Sequence, residues 1–316
     1  MKLDLKDKKI LSELEMNARI SFAELGKKVG LSKQVVKYRI QKLESENIIQ
    51  GYNALVDVSR LGEVIYVVYL KLVQISSIQE KEWMNSMSKS PNVLAVGKNA
   101  GHWDLTVAMR CANNKELDEV LKKITSGKSD KIKEKLITSE IESSYFSTEL
   151  LFEGNKYEAV TSDTQDNIEL DEKDKKIIHY LSENCRISLL DLSDKIKMSP
   201  NGVKNKIKNL ENKKIIIGYK TKINYEKLGY LHFRVFLHLN GWTKELCDDI
   251  KSFLKSEGNV ESVSRYMGYA DIDFRCYTKD IGELYNLVSK IKDKFLKEVI
   301  EIDSMPIFGW EKIEYY

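Results

Sequence analysis

The segment LSKQVVKYRIQKLESENIIQGY, residues 31–52, recurs at residues 198–219 as MSPNGVKNKIKNLENKKIIIGY. The similarity continues outward, so that residues 3–62 align with residues 170–229 without a gap, at an offset of 167 positions. About 26 of these 60 aligned positions are identical, which is far above chance for unrelated segments. A repeat of this length indicates two homologous modules in one chain rather than a solenoid of short units.

The composition of the chain is that of a soluble globular protein, with 42% hydrophobic and 31% charged residues among 316. This length has room for about two to four domains. No apolar run approaches the roughly 18 residues that a membrane helix needs, and the charged N-terminus lacks the apolar core of a signal peptide. Cys111, Cys185, Cys247 and Cys276 have no paired spacing, which indicates reduced thiols and a cytoplasmic protein.

Each repeat opens with the pattern of three helices. Asp4, Ser21 and Ser32 are suited to cap their N-termini, and apolar residues at helical spacing follow each cap. The third helix extends to about Asn47, after which two β-prone runs around Gly51 predict a small hairpin. Three helices and a hairpin form a winged helix-turn-helix. The same roles in the second repeat fall to Asp171, Ser188, Ser199 and Gly218.

The remainder of each repeat has the order strand, helix, strand, strand, helix, strand, which is the ferredoxin-like arrangement. In the first repeat the predicted elements are 64–75, 77–89, 92–99, 103–111, 115–125 and 133–144. In the second repeat they are 231–240, 244–256, 259–267, 270–277, 281–292 and 298–306.

These patterns predict an α+β protein with two copies of a winged helix-turn-helix followed by a βαββαβ domain. The winged helix-turn-helix domains are residues 1–60 and 169–228, and the βαββαβ domains are residues 61–151 and 229–316. Between the copies, residues 152–168 are polar, acidic and poor in apolar side chains, which predicts a flexible linker.

The third helix of each repeat has the features of a nucleic-acid reader, since amides can pair with adenine edges and lysines with guanine edges or phosphates. The alternative is an ordinary solvated helix face, which the occurrence of the whole arrangement twice disfavours. In the first repeat the predicted DNA-binding residues are Ser32, Lys33, Gln34, Lys37, Tyr38, Gln41 and Lys42. In the second they are Ser199, Asn201, Lys204, Asn205, Lys206 and Lys208. The predicted base contacts come from Gln34, Tyr38, Gln41, Asn201, Asn205 and Lys208, and Lys33, Lys37, Lys42, Lys204 and Lys206 mostly hold phosphates.

Several motifs together carry a family resemblance. They are LDLKDKKIL at the start, ARIS (residues 18–21), the repeated segment quoted first, and the turns GHWDLTV (101–107) and GYADIDF (268–274). The chain resembles the Lrp/AsnC family of transcription regulators, the feast/famine regulatory proteins, duplicated in tandem. This resemblance implies that the third helix enters the major groove of double-stranded DNA. It also implies that the βαββαβ domains are effector and dimerisation domains that pair through their sheets.

Members of that family often sense amino acids close to the G-x-x-D turn. The resemblance therefore implies an amino-acid effector near Gly101, His102, Asp104, Gly268, Tyr269 and Asp271. The alternative is that both glycines only supply a tight turn with positive φ and both aspartates only cap backbone groups.

The siroheme decarboxylases share this fold and offer an enzymatic alternative. They resemble one another by an RRFGA-like stretch in the wing and a nearby histidine, and neither wing here has such an arginine pair. His232 and His238 do lie on one face of a predicted strand. No H-x-x-x-H, C-x-x-C, phosphate-loop or G-x-S-x-G motif is present, so we expect no catalytic residue, no metal site and no cofactor.

The two copies agree at the apolar helix positions and differ at the positions that would touch DNA. This difference predicts an intrachain pseudo-dimer that recognises an asymmetric operator, since a symmetric dimer reads a palindrome. A further alternative is an assembly partner of ordinary family members that does not itself bind DNA.

Overall fold

A computed structural model describes residues 3–152, 157–162 and 166–316, and its elements are numbered here in chain order. The first repeat contains α1 (Leu5–Met16), α2 (Phe22–Val29), α3 (Lys33–Ser45), β1 (Ile49–Val56), β2 (Val64–Leu72), α4 (Ser77–Ser88), β3 (Val93–Asn99), β4 (Leu105–Cys111), α5 (Asn114–Ile124) and β5 (Ile132–Phe146). A short strand, β6 (Glu158–Val160), follows.

The second repeat contains α6 (Glu172–Glu183), α7 (Leu189–Ile196), α8 (Pro200–Asn212), β7 (Ile216–Ile223), β8 (Leu231–Leu239), α9 (Lys244–Ser256), β9 (Val260–Met267), β10 (Ile272–Thr278), α10 (Ile281–Lys294) and β11 (Val299–Ile313). The α+β fold class, with two helix-turn-helix units and two βαββαβ units, is confirmed. Within the described ranges no helix is both long and apolar enough to cross a membrane. All four cysteines are buried free thiols.

The predicted wing hairpin is wrong. β1 continues straight through Gly51, which lacks a positive φ, and its partner is β7 of the second repeat. The two strands pair antiparallel, with Asn53 opposite Lys220 at the centre. One strand alone leaves its backbone groups unpaired, and the matching strand of the other copy satisfies them. We call this two-stranded unit the ribbon. Because Asn53 and Lys220 occupy matched positions of the two repeats, a local two-fold axis passes through this pair.

Reciprocal contacts hold the two helix-turn-helix units to the ribbon. The amide of Ala18 donates to the carbonyl of Tyr219 at 3.0 Å, and the amide of Cys185 donates to the carbonyl of Tyr52 at 2.8 Å. Ala18 and Cys185 are matched positions, as are Tyr52 and Tyr219. The Arg186 guanidinium also lies 5.3 Å from the Tyr52 ring centroid. Each repeat therefore contributes to the fold of the other.

Eight of the nine other described strands form a closed ring, in the order β2, β4, β3, β11, β8, β10, β9 and β5, with β5 pairing back to β2. Two strands of 15 residues join the repeats. β5 pairs first with β2 of its own repeat and then with β9 of the other, and β11 pairs first with β8 and then with β3. The second half of β11 extends seven residues past the predicted end at Pro306, because β3 supplies hydrogen-bond partners for the C-terminal segment.

Part of the predicted flexible linker is built into the structure. β6 pairs with the end of β5, and the Tyr157 hydroxyl donates to the carbonyl of Ile217 at 3.0 Å. Ala159 is 4% exposed, so this segment buries apolar surface that the polar composition of the linker concealed. Residues 153–156 and 163–165, which the same prediction covers, lie outside the described residues.

A buried ionic network crosses the interior of the strand ring. Arg234 Nε donates to Asp273 Oδ2 at 2.8 Å, and Arg234 Nη2 donates to the Tyr266 hydroxyl at 3.0 Å. The Tyr266 hydroxyl donates in turn to Glu140 Oε2 at 3.1 Å. Burial raises the pKa of Glu140 to about 7. The Arg234–Asp273 ion pair occurs in the second repeat only, since the matched positions are Val67 and Thr106, whereas Glu140 lies on β5 of the first repeat.

Candidate nucleic-acid interface

The two reading helices, α3 and α8, are oriented by their caps and by their apolar faces. The Ser32 hydroxyl accepts from the amide of Val35 at 3.3 Å, and the Ser199 hydroxyl accepts from the amide of Gly202 at 3.2 Å. These bonds satisfy one backbone donor that each helix start leaves open. The residues that face the core at matched helical spacing are Val36, Ile40 and Leu43 in α3 and Val203, Ile207 and Leu210 in α8.

The opposite faces of both helices lie in solvent. The Tyr38 side chain is 67% exposed, so its ring has no packing role in the described structure. The sequence-predicted residues that are exposed on α3 or at its cap are Ser32, Lys33, Gln34, Lys37, Tyr38, Gln41 and Lys42. Those exposed on α8 or at its cap are Ser199, Asn201, Lys204, Asn205 and Lys208.

Lys206 differs from the other predicted DNA contacts. Its Nζ lies 2.7 Å from Asp171 Oδ2 and 2.9 Å from Asp174 Oδ1, which anchors α8 to the start of α6. The hydrogen bond from Lys206 is the main cause that lowers the pKa of Asp171 to about 2. Arg39 makes the matching ion pairs with Asp4 and with the first turn of α1 in the first repeat. The ammonium group of Lys206 is therefore already engaged within the domain.

One tyrosine–glutamate pair in each repeat, not predicted from the sequence, fixes the reading helix to the ribbon. The Tyr52 hydroxyl donates to Glu44 Oε1 at 2.6 Å, and the Tyr219 hydroxyl donates to Glu211 Oε1 at the same distance. Burial raises the pKa of both tyrosines, so both hydroxyls remain donors. The signal was present, because an identical Glu and Tyr stand eight positions apart in both repeats.

The G-x-x-D turns have clear backbone roles. Gly101 and Gly268 have φ values of 102° and 132°, in the region that favours glycine. Asp104 Oδ2 accepts from the amide of Leu72 at 2.7 Å, and Asp271 Oδ2 accepts from the amide of Leu239 at 2.7 Å. Both carboxylates thus cap the end of a neighbouring strand, which is the structural role weighed against effector binding.

The flanking side chains at the two turns differ. His102 is exposed, with its Nε2 3.3 Å from Glu134 Oε2, whereas the Tyr269 hydroxyl donates to Asp303 at 2.8 Å. An open cleft of about 590 Å³ adjoins the turn of the second repeat. Its lining includes Trp242 and Arg265, whose guanidinium lies 4.6 Å from the Trp242 ring centroid.

Comparison with known proteins identifies the family. A family model for the AsnC-type helix-turn-helix domain matches residues 3–44, and one for a winged helix-turn-helix DNA-binding domain matches residues 170–217. An uncharacterised HTH-type transcriptional regulator of Pyrococcus furiosus is 35% identical over 123 residues, which cover 39% of this chain and 79% of that protein. The chain belongs to the Lrp/AsnC family of transcription regulators.

Other members of the Lrp/AsnC family show the same pattern of coverage. The proline dehydrogenase transcriptional activator of Rhodobacter capsulatus is 34% identical over 122 residues, which cover 38% of this chain and 78% of that protein. Each of these relatives thus spans about one repeat. As a family member, the protein described here is a DNA-binding transcription regulator.

One solved structure resembles both repeats of this Lrp/AsnC protein together. The siroheme decarboxylase NirDL superimposes with a TM-score of 0.62, over 98% of this chain and 92% of that chain, at 13% sequence identity. At this identity the similarity concerns the fold alone.

The histidines weighed in the enzymatic alternative lie in different surroundings. His232 is 4% exposed and stacks on Tyr277 at 4.3 Å, and burial lowers its pKa to about 4. The imidazole is therefore uncharged at neutral pH. His238 Nε2 lies 3.5 Å from Asp303 Oδ2. Across the described part of the chain, no three His, Cys, Asp or Glu side chains are grouped closely enough to hold a metal ion.

Proposed function

We propose that one chain of this Lrp/AsnC regulator binds one asymmetric DNA site as an intrachain pseudo-dimer. The observation that carries the proposal is the local two-fold axis through Asn53 and Lys220, which relates two reading helices with unlike exposed faces. The residues proposed to contact bases are Gln34, Tyr38 and Gln41 on α3 and Asn201, Asn205 and Lys208 on α8.

The ribbon supports a fixed relation between the two helices. Each helix is bonded through its glutamate to a tyrosine of the ribbon, and the two ribbon strands are hydrogen-bonded to each other. Helix-turn-helix dimers read two half-sites at a set spacing in this way, with a recognition helix in each major groove. A chain that carries both helices needs no second copy to present two readers.

The exposed lysines have a different proposed role from the amides. Lysines that contact phosphates hold the protein in register and carry no sequence information, whereas amides that reach base edges specify the sequence. The proposed phosphate contacts are Lys33, Lys37, Lys42 and Lys204, with the Ser32 and Ser199 caps at the helix starts. Lys206 is omitted, because its ion pairs with α6 would have to break first.

The proposal is tested by selecting bound sites from random double-stranded DNA. We expect a site with two different halves, bound by one chain of 36.6 kDa. The control is a chain with Gln34 and Gln41 replaced by alanine, which is expected to lose selectivity in one half only. A clean palindrome, or a requirement for two chains on one site, would contradict the pseudo-dimer.

We further propose that an amino-acid effector binds at the turn of the second repeat, beside Gly268, Tyr269 and Asp271. The open cleft there supports this location. Arg265 Nη1 already donates to Glu142 Oε1 at 3.0 Å, and the remaining N–H donors of its guanidinium suit the effector carboxylate. The corresponding residues of the first turn, Gly101, His102 and Asp104, are the second place to test.

Calorimetric titration with the twenty amino acids tests the effector site. We expect Arg265→Met to weaken binding at least tenfold, because a charge-assisted bidentate contact is lost. The matched control is Lys98→Met, at the corresponding position of the first repeat, which is expected to leave binding unchanged. The opposite result would move the site to the first turn.

A further inference from the structure

A cavity of about 210 Å³ lies between the ribbon and the strand ring on the side of the second repeat. Lys220 and Lys222 of β7 line it from the ribbon, and His232, Tyr277 and Trp310 line it from three strands of the ring. It is separate from the reading helices and from both G-x-x-D turns. A molecule held there would contact the DNA-binding half and the effector half of the protein together.

Several polar groups around this cavity have no partner. His232 Nε2 and Trp310 Nε1 are buried atoms without a hydrogen bond among the described residues. The Lys222 ammonium makes no hydrogen bond or ion pair within those ranges. Burial lowers its pKa, and the negative charge of Glu314 partly opposes this shift. Buried polar groups normally have partners, so the buried atoms of His232 and Trp310 require an explanation, whereas Lys222 is only half-buried. An indole N–H and an ammonium group can donate hydrogen bonds but cannot accept them. A ligand that binds to both must therefore carry a hydrogen-bond acceptor.

Two of the three carboxyl groups that line the cavity, those of Glu261 and Glu15, have partners within the protein. Glu261 Oε2 lies 3.4 Å from Lys220 Nζ, and its Oε1 lies 3.4 Å from Arg275 Nε. Burial raises the pKa of Glu15 to about 7, and its carboxyl accepts a hydrogen bond from Thr148. Glu226 is exposed at the rim. Lys222 is therefore the cationic side chain of the lining that remains without an ion-pair partner in the described structure.

The first repeat shows that the fold does not require these polar groups. The positions that match Lys222, His232, Glu261 and Arg275 are Leu55, Ile65, Leu94 and Ala108. On the first-repeat side, the Tyr157 side chain of the linker occupies the space beside Gly218. A Cβ atom added to Gly218 would collide with the Tyr157 hydroxyl. At Gly51, the matched glycine, nothing lies within 4 Å of such an atom. The matched residues are thus apolar on the first-repeat side, where Tyr157 occupies the space beside the ribbon, and polar on the second-repeat side, where the corresponding space is open.

The volume of the cavity and its lining residues indicate which class of ligand it can bind. Tyr225, Tyr277, Trp310 and Tyr315 supply aromatic surface. An apolar cavity of about 150 Å³ is large enough to bind benzene. A volume of about 210 Å³ therefore suits one aromatic ring with a small substituent and is too small for a four-ring macrocycle. We propose that this cavity binds a small aromatic carboxylate, whose anionic group is held by Lys222 and the Trp310 indole N–H.

Benzoate is the first probe, titrated into the full chain without DNA and followed by tryptophan fluorescence and calorimetry. We expect saturable binding of one benzoate per chain, and at least tenfold weaker binding of benzamide, which has the same shape without the charge. Lys222→Leu should also weaken benzoate at least tenfold. This variant introduces the residue that Leu55 provides at the matched ribbon position, so the fold is expected to tolerate it. The control is Lys123→Leu on the outer face of α5.

The proposal is overturned if benzoate, phenylacetate and indole-3-acetate all fail to bind. It is equally overturned if benzamide binds as well as benzoate, or if Lys222→Leu binds benzoate like the parent chain. If that variant fails to fold, His232→Ile, which reproduces Ile65, and the benzamide comparison still decide the question. Since no DNA is present, a failure here is distinct from a failure of the proposed operator recognition.

Discussion

Replacement of Arg234 by valine is expected to lower the free energy of unfolding by about 3–5 kcal/mol, because it leaves Asp273 as an uncompensated buried charge. The two side chains are only 7% and 4% exposed and lie 2.7 Å apart. The Tyr266 hydroxyl would lose its hydrogen bond from Arg234 as well. Urea denaturation of the full chain, followed by circular dichroism, measures the loss.

The first repeat supplies the control for this experiment. Adding Asp273→Thr to Arg234→Val reproduces Val67 and Thr106 of the matched strands, and we expect the double variant to regain at least half of the lost stability. Buried ion pairs are often replaceable by uncharged residues, although removal of one partner is costly. A double variant as unstable as the sum of its two single changes would show that the ion pair has no special coupling.

The second large effect is expected when α8 receives the reading residues of α3. In the chain with Asn201→Gln, Asn205→Tyr and Lys208→Gln, both helices carry the same three residues at the proposed base-contacting positions. We expect site selection to change from an asymmetric sequence to a palindrome. Affinity for the parent site should fall on the order of 100-fold to 1,000-fold, since each specific base contact is worth about 1–3 kcal/mol. Binding is measured by fluorescence anisotropy on both DNA sequences.

Lys204→Gln is the control for the triple substitution in α8. Lys204 matches Lys37, so the two repeats already agree at this position. Loss of a phosphate contact weakens binding to all sequences about equally and reduces the salt dependence. If the chain with the triple substitution ranks DNA sites in the same order as the parent chain, the assignment of the base-contacting residues is wrong.

The helices could be predicted because their signals are local. A cap such as Ser32 and the apolar spacing of Val36 and Ile40 act within a few turns. The hairpin prediction failed because the partner of β1 lies 167 positions away, and periodicity carries no information about pairing at that distance. The pairing of β5 and β11 with strands of the other repeat could not be predicted for the same reason.

The candidate interface was predicted more fully than the interior. Exposed faces follow from helix periodicity, so the exposure of the proposed DNA contacts could be predicted, whereas the ion pairs of Lys206 could not. Buried charges are different, because Lys220 and Glu261 have the sequence pattern of ordinary surface residues. Their burial depends on how the ribbon packs against the strand ring. The sequence of a single segment does not specify this packing.

The pairing of β1 with β7 joins two parts of one polypeptide, so dilution does not separate them. A regulator assembled from two identical subunits dissociates when it is scarce, and its stability depends on subunit concentration. Here the effective concentration of one half around the other is set by the covalent chain. Under the proposed one-chain binding mode, operator occupancy would rise in simple proportion to the number of molecules in the cell at low abundance, without a threshold for assembly.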